Sequence, residues 1–457
     1  MKLMVKIGLE IHGYINTNEK LFCRCSTDHG QKFTAPNTNI CPVCTAQPGS
    51  KPLLPNRKAV EKSVQIALIL GCKINEKLIW QRKHYNWPDL PKGYQNTLSG
   101  SHATPIGING EFQGIRIREA HLEEDPAAWN PGTGEIDYNR SGLPLIEIVT
   151  EPDFSSSPQV IEWLKQLIVT LNYIKAIDKS SGIKADVNVS IAELNGERVE
   201  IKNINSLKNI KNAIDYEEIR QKSDVPKIQE TRMFSEAKGI TVKMRDKEHA
   251  EDYRFVSEPD LPCLIIKKEE VAKIKSSLPE TPQEKLKKLI KQYKIQPKYA
   301  EVLIKKIEIV EFFEKVIEKT DADLASSWIT VELLRILNYS KKELDEVDIK
   351  PEHFVELLNL LKQKKITELK AKEILNKFIP NSFSPIEEAE KNSKISSQDE
   401  LAKICKEVIA ENKEAVSDYK KGKQESLNFL MGKVMQKTNK RADFKTSKER
   451  LIEELKK

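Results

Sequence analysis

Between Val5 and His12 apolar and polar residues alternate: Val5, Ile7, Leu9 and Ile11 take one face, and Lys6, Gly8, Glu10 and His12 the other. This is the period of two that a half-buried strand requires, and it predicts a sheet surface displaying Glu10 and His12. Asp186-Val-Asn-Val-Ser-Ile191 and Val199-Glu-Ile-Lys202 alternate in the same way around Leu194-Asn-Gly-Glu197. Asn-Gly between alternating runs predicts an antiparallel hairpin, with Asp186, Asn188 and Ser190 on one face. From Lys267 onward the apolar residues recur three and four apart, as in Val302-Leu303, Ile307, Val310 and Phe313. That spacing predicts amphipathic helices. Most of the 18 glycines and four of the five tryptophans precede this change of period. The pattern therefore predicts an α+β protein: a mixed or antiparallel sheet domain over 1–268, an all-α helical domain over 269–380 and a small helical tail over 381–457. The polar stretches Pro380–Pro385 and Lys391–Gln398 read as the linker before the tail.

The 457 residues are 39% hydrophobic and 31% charged, enough apolar side chain for several cores and too little polar sequence for wholesale disorder. No apolar run approaches the roughly 18 residues of a membrane span. The N-terminal residues reach Glu10 and His12 where a signal peptide needs an apolar stretch, so the expected location is cytoplasmic, with no membrane partner. Net charge is +7, small enough that its distribution matters more than its sum.

Seven cysteines, an odd number in a long cytosolic chain, favour metal or catalytic use over a disulfide framework. Cys23-Arg-Cys25 and Cys41-Pro-Val-Cys44 present two close pairs on a short insertion at 21–46, the arrangement of a four-thiolate Zn²⁺ site with no open coordination position. Such a metal holds loops and does not catalyse. Cys72, Cys263 and Cys405 are isolated and read as core or inert.

Acidic residues form a second constellation. Glu147 interrupts the apolar run Leu143–Val149, and an ionised carboxylate there must find a cation, a metal or a proton; pairing with Arg140 is one solution. Upstream, Glu119-Ala-His121-Leu-Glu123-Glu124-Asp125 ends a strand in three consecutive acids, which repel unless a cation gathers them or they simply face solvent. With Glu10 and His12 the group resembles a divalent-metal site on an open sheet face. Such sites commonly receive phosphates, and Gln81-Arg-Lys-His-Tyr85 and Arg140 offer a basic counterpart. No phosphate-binding P-loop motif occurs, nor does an amidase-type loop with a serine nucleophile, so ammonia for any amide chemistry must come from elsewhere. Between Lys420 and Lys448 nine Lys or Arg stand against two acids, a stretch able to track a phosphate backbone if it is more than a solvated face.

The segments Lys6–His12, Leu21–Cys25, Cys41–Cys44, Pro88-Asp-Leu-Pro-Lys-Gly-Tyr-Gln95, His121–Asp125, Asp137-Tyr-Asn-Arg-Ser-Gly142, Glu147–Asp153, Asp186–Ser190, Glu200–Asn203 and Asp252–Phe255 resemble, in order and nearly end to end, the B subunit of the tRNA-dependent aspartyl/glutamyl amidotransferase. The resemblance implies a cradle-shaped N-terminal domain that uses ATP and Mg²⁺ to phosphorylate the side-chain carboxylate of Glu or Asp misacylated on tRNA(Gln) or tRNA(Asn). Ammonia made by an amidase (A) subunit, in a heterotrimer with a small C subunit, then displaces the phosphate. It implies His12, Glu124 and Glu147 as Mg²⁺ ligands with Glu10 beside them, Lys83 and Arg140 on the nucleotide, Tyr85, Asn188 and Lys202 on the substrate, and Lys433, Lys437, Lys440 and Arg441 on tRNA. Since a His ligand is unusual for Mg²⁺, Mn²⁺ is an alternative.

The chain departs from the family's pattern at Asp125-Pro-Ala-Ala-Trp129 and Gln81-Arg-Lys-His-Tyr-Asn-Trp87, which affects phosphate contacts near 126–129 and the pocket edge at His84 and Asn86. The related archaeal E subunit carries an extra insertion for which this length leaves no room. From a different class, a non-catalytic zinc-containing tRNA-binding scaffold would share the cysteines and the basic tail.

Overall fold

The computed structural model describes residues 4–30, 34–178, 182–191, 194, 196–246, 253–391, 398–439 and 441–456. The chain divides into two compact units, Met1–Glu280 and Thr281–Lys457.

The first unit is built on a twelve-stranded sheet, among the described residues. Its main path runs Ile240–Asp246, Glu230–Ser235, Val199–Ile204, Ile183–Ile191, Val5–Tyr14, Pro144–Thr150, Ile115–Glu124, Tyr94–Thr97, Gln81–His84 and Arg254–Ser257. All the pairings along it are antiparallel except that between Val199–Ile204 and Glu230–Ser235. The hairpin forms with Val187 opposite Ile201, while Asn195 of its turn lies outside the described residues. Ile7, Leu9 and Ile11 are buried on the core face. The Ser157–Tyr173 helix packs there through Val160, Trp163, Leu164, Leu167 and Leu171, spaced three and four apart. The Leu207–Ser223 helix buries Ile210, Ala213 and Ile214 in the same core. With the apolar face covered by helices, the polar side chains of the central strands project from the other face.

In the second unit helices dominate, as the spacing predicts. Ile307–Ile317 buries Ile309, Val310, Phe312, Phe313 and Val316, and Thr281 and Glu284 form a capping box at the start of Pro282–Lys291. Gln398–Glu411, Gln424–Lys437 and Phe444–Lys456 close around Leu401, Cys405, Val408, Leu430, Val434 and Leu451. Within the expected linker, Ile386–Lys391 is helical and residues 392–397 lie outside the described residues. Among the described residues no helix is long and apolar enough to cross a membrane. Of the three cysteines read as core or inert, Cys72 and Cys405 are buried and Cys263 is exposed.

Candidate functional site

Register assembles the first cluster. His12 lies opposite Glu147, and Glu147 opposite His121; directly facing residues of antiparallel strands project to the same side. Glu147 Oε2 stands 3.2 Å from His12 Nε2 and 3.3 Å from His121 Nε2. His121 Nδ1 is 3.0 Å from Glu119 Oε1 and its Nε2 3.9 Å from Glu123 Oε2. Ligand atoms of His12, Glu123 and Glu147 all lie within 4.8 Å of one another. Burial works against both imidazolium ions, yet Glu147 together with Asp186, Glu123 and Glu119 around them lifts His12 to about 9 and His121 to about 10. Burial also opposes the charge on Glu147, but His121 and His12 hold its carboxyl well below the usual range. Glu123 moves the other way, raised by burial and then by Glu147.

Glu124, expected beside His12 and Glu147, instead pairs with Lys92 and accepts the Asn96 N–H at 2.9 Å. Successive strand residues point to opposite faces, so 119, 121 and 123 share the cluster's face and 124 leaves it. The alternative pairing of Glu147 with Arg140 does not form. The Arg140 Nε instead lies 3.1 Å from Asp125 and donates to the Pro126 carbonyl at 2.9 Å, and its guanidinium also reaches the Ala127 carbonyl. Tyr14 donates to the same Asp125 carboxylate at 2.6 Å. Arg140 is thus a strut of the 125–127 loop.

A second cluster adjoins the first on the same face. Glu10 lies opposite Asp186, and Asn188 opposite Glu200; carboxylate oxygens of Glu10, Asp186 and Glu200 lie within 4.8 Å of one another. Lys202 Nζ sits 3.0 Å from Glu200 and 3.7 Å from Asp186. Asn188 donates to Glu10 at 3.0 Å, and its own buried Oδ1 has no partner among the described residues. Burial, then Glu147, Glu200 and Asp186, raise the Glu10 carboxyl. Asp186 and Glu200 were not expected in an acid cluster with Glu10, although their alternation with Asn188 and Lys202 carried the signal.

At the rim, Lys83 Nζ lies 4.8 Å over the Tyr253 ring and Tyr85 meets Tyr253 edge-on at 5.9 Å. Burial, then Asp89, pushes the Tyr85 phenol up. His84 Nδ1 lies 3.2 Å from the Gly93 carbonyl, and Asn86 is exposed. Trp87 packs edge-on against Trp129 at 5.5 Å, so the two departures from the family's pattern touch each other.

The four expected cysteines converge, with every Sγ within 4.8 Å and Cys41 and Cys44 3.9 Å apart. A tetrahedron with Zn–S near 2.3 Å has edges of roughly 3.8 Å, so the donor set fits Zn²⁺. The hydrogen bond from Cys23 pulls the Cys44 thiol down to about 5, against burial and with help from Lys20. Burial first of all pushes Cys25 up to about 11.

In the tail, Lys433 lies 5.5 Å over Phe429, Arg441 Nε donates to Thr438 O at 3.3 Å, and Lys440 lies outside the described residues. Lys437 pairs with Glu407 at 3.2 Å and Glu411 at 2.6 Å, which discounts the local charge counted from sequence.

Residues 5–272 match the GatB/GatE catalytic domain, and residues 311–455 the GatB domain. The chain is similar to the B subunit of the aspartyl/glutamyl-tRNA(Asn/Gln) amidotransferase of Methanocaldococcus jannaschii, 46% identical over 99% of this chain and 98% of that protein. The proteins of the same description from Methanopyrus kandleri (96% of each chain) and Methanothermobacter thermautotrophicus (96% of this chain, 97% of that protein) are each 44% identical.

Proposed function

The chain belongs to the family of B subunits of the aspartyl/glutamyl-tRNA(Asn/Gln) amidotransferase, a ligase, and from that premise we propose that its polar sheet face activates the side-chain carboxylate of misacylated Glu-tRNA(Gln) or Asp-tRNA(Asn). ATP transfers its terminal phosphoryl group to that carboxylate, leaving ADP. Ammonia from a partner amidase subunit, in a complex with a small C subunit, then displaces phosphate and leaves the amide. The observation that carries this reading is the gathering of Glu10, Glu123, Glu147, Asp186 and Glu200 into two adjacent groups on one face. The acyl carboxylate and the polyphosphate are both anions. Two unit charges 4 Å apart repel by about 4 kcal/mol at an effective dielectric of 20, so the site must supply positive charge.

The donor sets fit divalent cations of two kinds. His12, Glu123 and Glu147 mix nitrogen and oxygen and suit Mn²⁺ as well as Mg²⁺; Glu10, Asp186 and Glu200 offer only oxygen and suit Mg²⁺. A bound cation would neutralise charge on the transferring phosphoryl group. His12, protonated at neutral pH beside Glu147, must give up its proton to ligate. Lys83, held over Tyr253, is placed for the phosphates, and Tyr85, Asn188 and Lys202 line the substrate side. Arg140 acts by fixing the 125–127 loop. The proposed division of labour puts chemistry in 1–268, with zinc bracing 21–46, a helical domain in 269–380 and tRNA contacts in 381–457, in the cytoplasm.

The test is ADP release by the chain reconstituted with its amidase and C partners. Release should require a divalent cation and misacylated tRNA together. Binding of charged tRNA without turnover would instead mark a scaffold. For the tail, each phosphate contact adds about 0.9 to the slope of log affinity against log salt. Neutralising Lys433, Lys440 and Arg441 should flatten the slope by close to one unit apiece and Lys437 by less, because Glu407 and Glu411 already compensate it. tRNA preference should not change, and an unaltered slope would reduce the patch to a solvated surface.

A further inference from the structure

Lys20 is a buried cation with no carboxylate partner among the described residues. It is 1% exposed, and its Nζ donates to one protein acceptor, the Tyr138 carbonyl at 3.1 Å. Burying an ammonium is costly, and a compensating charge nearby offsets that cost. The chain around it leads to one source. The Lys20 N–H donates to the Cys25 carbonyl at 3.0 Å, the Leu21 N–H to the Gly142 carbonyl at 2.8 Å, and the Ser141 hydroxyl to the Cys44 carbonyl at 2.8 Å. Cβ of Cys44 and Cδ of Lys20 each lie 3.8 Å from where a Gly142 Cβ would stand. The lysine stem and the Cys44 side chain therefore flank the same point.

We infer that Lys20 is the counter-charge of the four-cysteine centre: a positioning residue whose ammonium offsets the net negative charge that four thiolates leave on a bound divalent ion. The inference rests on the reading that Cys23, Cys25, Cys41 and Cys44 hold Zn²⁺. Four thiolates around Zn²⁺ carry a net charge of −2, and on the buried side, at Cys23 and Cys44, solvent screens that charge least. Lys20 supplies +1 from within the fold and, through Tyr138, ties the centre to the 137–142 loop.

The experiment measures metal affinity by competition with a chromophoric chelator and by the thiolate-to-metal charge-transfer band of the Co²⁺-substituted full-length chain. Wild type should carry one zinc; none would sink the zinc reading itself, separately from the role of Lys20. Lys20→Met should weaken Zn²⁺ and Co²⁺ binding at least tenfold, whereas Lys20→Arg, which keeps the charge, should stay within a few-fold of wild type. Cys25→His lowers the charge of the centre to −1, so adding Lys20→Met to it should cost clearly less than in the wild-type background. This double variant also answers the question if Lys20→Met alone fails to fold. Equal metal affinity in Lys20→Met, or a loss that Cys25→His does not relieve, would show Lys20 to be a packing residue and overturn the inference.

Discussion

Glu147→Gln should lower tRNA-dependent ADP formation by about 10³-fold while leaving tRNA affinity nearly unchanged. The carboxylate sits between two imidazoles at 3.2 and 3.3 Å, and those imidazoles keep it ionised against its burial. It is therefore the fixed anion at the centre of the first cluster. Removing a ligand from a site that stabilises transferred charge forfeits several kcal/mol, and each 1.36 kcal/mol is tenfold in rate. Glu123→Gln should match it, with the Mn²⁺ dependence of the residual activity shifted to higher concentration. Glu124→Gln should leave that dependence where it was, because its carboxylate belongs to Lys92 and the Asn96 amide. A metal titration of the three variants decides the ligand set. If Glu124→Gln alone shifts the Mn²⁺ curve, the carboxylate turns over when the cation binds, and 124 rather than 123 is the ligand.

The second large effect is expected at the cysteines. Cys44→Ser should remove the single zinc expected from metal analysis and lower the melting temperature of the N-terminal unit by about 6–12 °C, at about 2–4 °C per kcal/mol for a domain of this size and roughly 3 kcal/mol for a lost metal site. The loops the centre closes are tied to the loop beside the acid clusters. The Asn37 and Asn39 backbone amides donate to Asp137 and Asn139 at 2.9 and 2.8 Å, and Ser141 donates to the Cys44 carbonyl. Loosening the insertion should therefore also raise the tRNA concentration needed for turnover. Calorimetry alongside zinc analysis checks both parts; a variant that kept its zinc and its melting temperature would remove the centre from the account.

Much of this arrangement was legible before any coordinates. Alternation in Val5–Tyr14 places Glu10 and His12 on a polar face because a strand's side chains alternate by geometry, whatever it pairs with. The cysteine spacing works similarly: C-x-C and C-x-x-C each bring two thiolates close through local backbone alone, and the fold had only to bring the pairs together.

Which acids meet which partners was not local. Glu123 and Glu124 are adjacent in sequence with the same chemistry, and only strand parity, counted from His121 opposite Glu147, separates the one on the clustered face from the one that pairs with Lys92. Asp186 joins Glu10 through a pairing of strands far apart in the chain, and Glu200 follows through the hairpin that adjoins it. The role of Arg140 as a strut, and the compensation of Lys437 by Glu407 and Glu411, likewise appear only when distant segments fold together. The sequence by itself determined the α+β division, the polar strand face and the thiolate pairs, which follow from short-range periodicity and spacing, and it carried the family through the resemblance of its motifs. Tertiary structure alone decided which acids gather on one face and which charges are already spent, because register and packing are set by the whole sheet and no window of sequence contains them.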